Sequence, residues 1–223
     1  MPNKVNRKRT TGNPSARRKV VDPPAKPARS TRAARSPRRK HIVLTIGHST
    51  RTLADFVALL KTHDVACLVD VRSIPRSLHN PQFNKTALPR PLKRAGIEYI
   101  HMPGLGGLRH ALKESINIGW RNASFRGYAD YMQTPDFEEN LEALISLAAK
   151  KQIAIMCAEA VPWRCHRSLI ADALVIRGIR VEDIMTPTRR TAHTLTPFAH
   201  VTGTTITYPA EIPGRTRVAT KKR

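Results

Sequence analysis

The sequence predicts an α/β fold: a single domain with a mostly parallel sheet of about five strands and helices on both faces. Two observations carry this. Apolar runs of strand length alternate with segments whose apolar residues recur at helical spacing, the pattern of successive strand–helix–strand units. The strand-like runs are also continuously apolar, as in residues 65–69 and 153–156, which fits a sheet covered on both sides.

Residues 42–46 form the first apolar run, broken by Gly47. Thr52 is placed to cap a helix whose apolar face is Leu53, Phe56, Val57, Leu59 and Leu60. Residues 65–71 predict a second strand with Asp70 near its end, followed by a polar loop reaching Asn84. A helix is expected over residues 85–95, with an irregular start at Pro89 and Pro91 and an end at Gly96. Residues 97–101 read as a third, short strand, and Gly104, Gly106 and Gly107 mark a glycine-rich loop after it. Residues 110–123 lack periodicity and read as an insertion. Helices follow over residues 125–132 and 136–150, the second with Leu141, Leu144, Ile145 and Ala148 on one face. The fourth strand is residues 152–156, and a helix over 164–177 ends at Gly178. Residues 179–184 are the last predicted strand.

The net charge of +23 belongs mostly to the ends of the chain. Residues 1–40 hold 14 Lys/Arg against one acid, Asp22, and residues 211–223 hold 5 against one, Glu211. That leaves +6 for residues 41–210. With six prolines and few large apolar side chains, residues 1–40 lack the surface needed to offset chain entropy and are expected to be a disordered basic tail. Such a tail is either a nucleic-acid-binding arm that displaces counterions or a solvated extension. Residues 41–186 are expected to form the domain, and residues 187–223 an extended or disordered Thr/Pro-rich basic tail. Three cysteines (Cys67, Cys157, Cys165) suit no disulfide framework, and no apolar run is long enough for a membrane span. A cytoplasmic protein without membrane contact is expected.

In open parallel sheets, ligands bind beyond the carboxyl ends of the strands. The residues there are Gly47, His48 and Ser49; Asp70 and Arg72; His101 with Gly104 to Gly107; and Cys157 with Glu159. All four sets are polar, reactive or glycine-rich. Cys165, His166 and Arg167 stand near a predicted helix start, where free amides and the helix dipole favour an anion or a thiolate. Asp70 and Arg72 are two apart on extended chain and point the same way. Arg76 and Asn84 extend a basic, hydrogen-bonding surface along the next loop. Zinc accepts thiolate and imidazole ligands, so Cys157, Cys165, His166 and His48 are chemically suited to it. The Cys-x7-Cys-His spacing is not that of a structural zinc finger, and the sequence assigns no metal ligand and no cofactor.

Five ordered motifs together resemble the bacterial domain of unknown function 488, over about residues 42–185. They are residues 45–49, residues 69–77, residues 80–84, residues 105–109, and Cys157-Ala158-Glu159 with Cys165-His166-Arg167. The resemblance implies a compact α/β domain whose shared motifs are these strand-end loops, and it supplies no reaction. Where the family's last strand often ends in His-Ile, Asp183 precedes Ile184 here.

Two functional readings follow. The first is an enzyme acting on a phosphate-bearing or nucleotide-like anion. Cys165 or Glu159 would be nucleophile or base, and His48, Asp70 and His166 would take part in proton transfer. Gly47, Ser49, Arg72, Arg76, Asn84, Gly106, Gly107, Cys157 and Arg167 would bind the substrate. The second is a non-catalytic nucleic-acid-binding accessory protein that uses its basic tails.

Overall fold

A computed structural model describes residues 42–210. The expected basic tail of residues 1–40 lies outside this range. Five strands, β1 (Val43–Gly47), β2 (Cys67–Asp70), β3 (Glu98–His101), β4 (Ile153–Cys157) and β5 (Val181–Thr186), are all parallel. β6 (Arg189–Ala192) joins antiparallel to β5, so the sheet has six strands in the order β3-β2-β4-β1-β5-β6. This is the mixed α/β, mostly parallel architecture expected from the sequence, with one strand more.

The helices cover both faces. α1 (Leu53–Thr62) and α2 (Pro89–Arg94) lie on one, and α3 (Ala123–Tyr131), α4 (Pro135–Ala148) and α5 (Arg167–Val175) on the other. The pleat sorts the strand residues between two cores. Leu44, Ile46, Leu68, Ala154 and Met156 pack with Phe56, Leu60 and Leu92 under α1 and α2. Val43, Cys67, Val69, Ile153 and Ile155 pack with Leu141, Leu144, Leu169 and Ile170 under α4 and α5. Thr52 caps α1, its hydroxyl accepting from the Asp55 amide at 3.1 Å. Gly178 takes φ +72 after α5, a conformation that suits a residue without Cβ.

Several boundaries differ from expectation for identifiable reasons. The helix expected over 85–95 begins only at Pro89, because the chain first makes a 3-10 turn at Pro81–Phe83 and the prolines occupy the first helical turn. The helix expected from residue 164 begins at Arg167, after a 3-10 turn at Pro162–Arg164.

The expected tail from residue 187 is folded as far as residue 210. Besides β6 it contains a hairpin of β7 (His200–Thr202) and β8 (Thr205–Thr207). Its anchor is the Asp172 carboxylate of α5, which is fully buried. That carboxylate accepts from Tyr208 at 2.9 Å, from the amide and hydroxyl of Thr196 at 3.1 and 2.6 Å, and faces His193 Nε2 at 2.7 Å. The insertion is held in a similar way. Asn117 donates to Asp130 of α3 and accepts from the Tyr208 amide, while Trp120 packs against Phe125, Phe198 and Tyr208.

No helix among the described residues is long and apolar enough to cross a membrane.

Candidate functional site

Strand order decides where a ligand can enter. β4 lies between β1 and β2, and its chain leaves toward α5 on one face. The chains leaving β1 and β2 turn toward α1 and α2 on the other. Loops that part in this way open a crevice at the carboxyl edge. A cleft of about 670 Å³ lies there. Its lining includes His48 and Ser49 after β1, Arg72 to Ile74 with Arg76 and Ser77 after β2, Gly107 and Leu108 after β3, and Cys157 to Ala160 with Arg164 to His166 after β4.

The pleat gives the crevice two polar clusters, one on each side of the sheet. On the side of α1 and α2, the Arg72 guanidinium holds Asp70 through two bonds, Nε to Oδ1 at 2.8 Å and Nη2 to Oδ2 at 2.6 Å. Its Nη2 also donates to the Phe83 carbonyl, and Tyr99 of β3 donates to Asp70 Oδ2 at 2.7 Å. His48 stacks on Phe83 with ring centroids 4.2 Å apart. Its Nδ1 is 2.8 Å from the Ser49 carbonyl and must carry the hydrogen, so Nε2 accepts from Arg72 Nη1 at 3.2 Å. Burial lowers the His48 pKa to about 4, and the ring is neutral at ordinary pH.

On the side of α5, Cys157 ends β4 and Cys165 and His166 lead into the helix. His166 Nδ1 is 4.0 Å from Cys157 Sγ and 3.7 Å from Cys165 Sγ. His166 Nε2 is 3.2 Å from the Val71 carbonyl. Arg167 lies under this cluster, 1 % exposed, donating to Glu159 O at 2.6 Å, Thr45 Oγ1 at 3.1 Å and Cys165 Sγ at 3.4 Å. Thr45 in turn donates to Asp183 at 2.5 Å. A hydrogen bond from the Cys157 thiol lowers the Cys165 pKa against the opposing effect of burial, with help from His166 and Arg167. The Cys157 thiol is correspondingly pushed up.

The residues singled out from sequence therefore divide by position. His48, Ser49, Arg72, Arg76, Cys157, Glu159, Cys165, His166 and Gly107 line the cleft. Asp70, Arg167, Asn84, Gly47 and Gly106 do not; they hold it together. Asp70 is spent on Arg72 and Tyr99, and Asn84 accepts from the Ser77 amide at 2.6 Å. A Cβ on Gly47 would lie 1.9 Å from the Glu159 carbonyl oxygen, and one on Gly106 would lie 2.2 Å from Ser73 Oγ. Both glycines are required by close packing of loops. Sequence reasoning gave no site role to Arg164, Tyr99, Thr45 or Phe83. Arg164 shares its loop with Cys165, Thr45 and Phe83 stand inside two of the shared motifs, and Tyr99 had no such signal.

The family model described as Domain of unknown function DUF488 matches residues 52–174, more than half of the chain. The chain belongs to this family. The DUF488 match contains both clusters except for Thr45 of β1, His48 just after it, and Asp183 of β5. No curated protein and no solved structure matches the chain.

Proposed function

We propose that this protein is a cytosolic enzyme acting on a phosphate-bearing or nucleotide-like small molecule. The observation that carries the reading is a pair of exposed guanidinium groups at the cleft. Arg76 and Arg164 come from the loops after β2 and β4 and line the cleft, and their guanidinium groups make no hydrogen bond or ion pair among the described residues. Arginine presents a planar fork of donors that matches phosphate oxygens. Ile74, Leu108 and Phe125 add apolar lining suited to the uncharged part of such a ligand.

This reading assigns reacting roles to fewer groups than the sequence suggested. His48 and Asp70 bond to Arg72, and Arg167 to the loop beneath the cleft, so this reading gives them positioning roles rather than proton transfer or ligand binding. The floor is left with Cys157, Cys165 and His166, and the rim with the exposed carboxylate of Glu159, which accepts from the Val161 amide at 3.2 Å.

The test is phosphorus-detected turnover of a panel of nucleoside and sugar phosphates, with calorimetric binding of the best of them. Cys165→Ala and Glu159→Gln are expected to abolish turnover while circular dichroism stays unchanged. Replacing Arg76 and Arg164 together with alanine is expected to weaken binding. Full activity in the first two variants, or unchanged affinity in the third, removes the reading.

The charge of residues 1–40 favours a second role, delivery to nucleic acid. Deleting those residues is expected to lower DNA affinity and flatten its salt dependence. An unchanged salt slope removes that role.

A further inference from the structure

The floor of the cleft brings together three ligands of the type that soft divalent ions prefer. The sulfurs of Cys157 and Cys165 and one ring nitrogen of His166 all lie within 4.8 Å of one another. In a tetrahedral zinc site, bonds of about 2.3 Å to sulfur and about 2.0–2.1 Å to nitrogen put a sulfur and a nitrogen about 3.6 Å apart. The two sulfur-to-Nδ1 distances, 3.7 and 4.0 Å, are already close to that edge. Those two edges need shifts of only a few tenths of an ångström, and the two sulfurs, within 4.8 Å of each other, must come to about 3.8 Å for bonds of about 2.3 Å at the tetrahedral angle.

The surroundings prepare the histidine for the same task. A carbonyl cannot donate, so the contact of Nε2 with Val71 O places the ring hydrogen on Nε2. The lone pair of Nδ1 then faces the two sulfurs. Anchoring the far nitrogen to a carbonyl is how ligand histidines are oriented in metal sites. Gly107 keeps that side of the ring clear. A Cβ there would lie 2.5 Å from Nδ1, and the backbone of Gly107 has no positive φ to explain the glycine otherwise. Arg167 Nε, 3.4 Å from Cys165 Sγ, offsets the negative charge that two thiolates would bring. No fourth His, Cys, Asp or Glu joins the group among the described residues, and all three members line the cleft.

We propose that Cys157, Cys165 and His166 bind a zinc-class divalent ion through two sulfurs and Nδ1, with its fourth position open to the cleft. Three protein ligands and one open position characterise zinc sites that act on a ligand, whereas structural sites are closed by four. The open position faces the same space as Arg76 and Arg164. An anion held by the arginines would bring an oxygen within reach of the metal; this last point rests on the proposed function, while metal binding does not.

The test uses the full chain, reduced, stripped of metal, and titrated with Co²⁺ in the absence of any substrate. One equivalent is expected to give the intense visible bands of tetrahedral cobalt together with thiolate-to-cobalt charge transfer, and Zn²⁺ is expected to displace it. Cys157→Ser, Cys165→Ser and His166→Gln are each expected to remove these bands, and Cys67→Ala to leave them. Gly107→Ala is expected to weaken binding by about tenfold or more, the scale of loss seen when the surroundings of a ligand histidine are disturbed. Absence of the bands in the reduced wild type overturns the proposal, as does their persistence in the Cys157 and His166 variants. Oxidation of Cys157 with Cys165 to a disulfide that forms as readily in the presence of excess Zn²⁺ also overturns it. Phosphate binding by Arg76 and Arg164 is read separately, so either idea can fail alone.

Discussion

The guanidinium of Arg167 donates to the carbonyl oxygen of Glu159, eight residues earlier in the chain, over 2.6 Å. With its bonds to Thr45 and Cys165, this makes a buried arginine the peg on which the loop after β4 hangs. Arg167→Ala strands the Glu159 carbonyl and leaves space under the loop. A loss of roughly 3 kcal/mol is expected in urea denaturation. Arg167→Lys, which replaces a fork by a point charge, is expected to lose less but not to recover wild-type stability. An unchanged midpoint in the alanine variant would return Arg167 to the role of an anion-binding residue.

Asp70 and Arg72 are 0 % and 7 % exposed, so removing one charge leaves the other buried and unpaired. Asp70→Asn is expected to cost about 3–5 kcal/mol. Tyr99→Phe removes one hydrogen bond to the same carboxylate and is expected to cost about 1–2 kcal/mol. A double-mutant cycle between the two positions should show coupling; strict additivity would mean that Tyr99 does not act through Asp70.

His48 gives the fold an acid-side dependence on pH. Its folded pKa of about 4 lies below the ordinary 6.5, with burial the main cause and Arg72 adding to it against the Ser49 carbonyl and Asp70. Between these values the unfolded chain binds the proton and the folded chain does not. The stabilisation is therefore complete above about pH 6.5 and is lost as pH falls toward 4, by roughly 3 kcal/mol at most. Urea titrations with a chelator present, so that metal does not contribute, are expected to show this slope in the wild type and a shallower one in His48→Gln. Equal slopes would assign the dependence to other groups.

Gly47→Ala tests how tightly β1 lies against the loop after β4. The added Cβ meets Glu159 O at 1.9 Å and the Ala160 Cα at 2.7 Å, both backbone atoms that cannot swing aside. The loop must move, and a stability loss of about 1–3 kcal/mol is expected, together with weaker ligand binding at the cleft. Wild-type affinity in a folded variant would show that the loop's position is not needed for binding.

Much of the sheet was legible because parallel strands buried on both faces leave an unmistakable apolar signature, as at Val65 to Val69 and Ile153 to Met156. The carboxyl edge was legible for the same reason, since each strand's end marks where its loop begins. What lay beyond was not. Arg164 and Arg167 are three residues apart and chemically alike, yet one faces the cleft and the other is sealed beneath it by Thr45 and Glu159. Sequence spacing carries no trace of that choice. β6 was missed because all four of its residues are exposed and polar enough to read as tail. The hairpin was missed, and the hold on the insertion was not foreseen, because buried hydrogen bonds to Asp130 and Asp172, rather than periodic packing, fix these segments.

Asp172 is synthesised before every group that satisfies it: His193, Thr196 and Tyr208 all come later in the chain. The helix that carries Cys165 and His166 at its start thus holds an unmatched carboxylate until the ribosome has made residues well past the end of the DUF488 match at 174. Translation supplies the clasp last. A nascent chain halted after β5 would have all five parallel strands in hand but none of the side chains that meet Asp172.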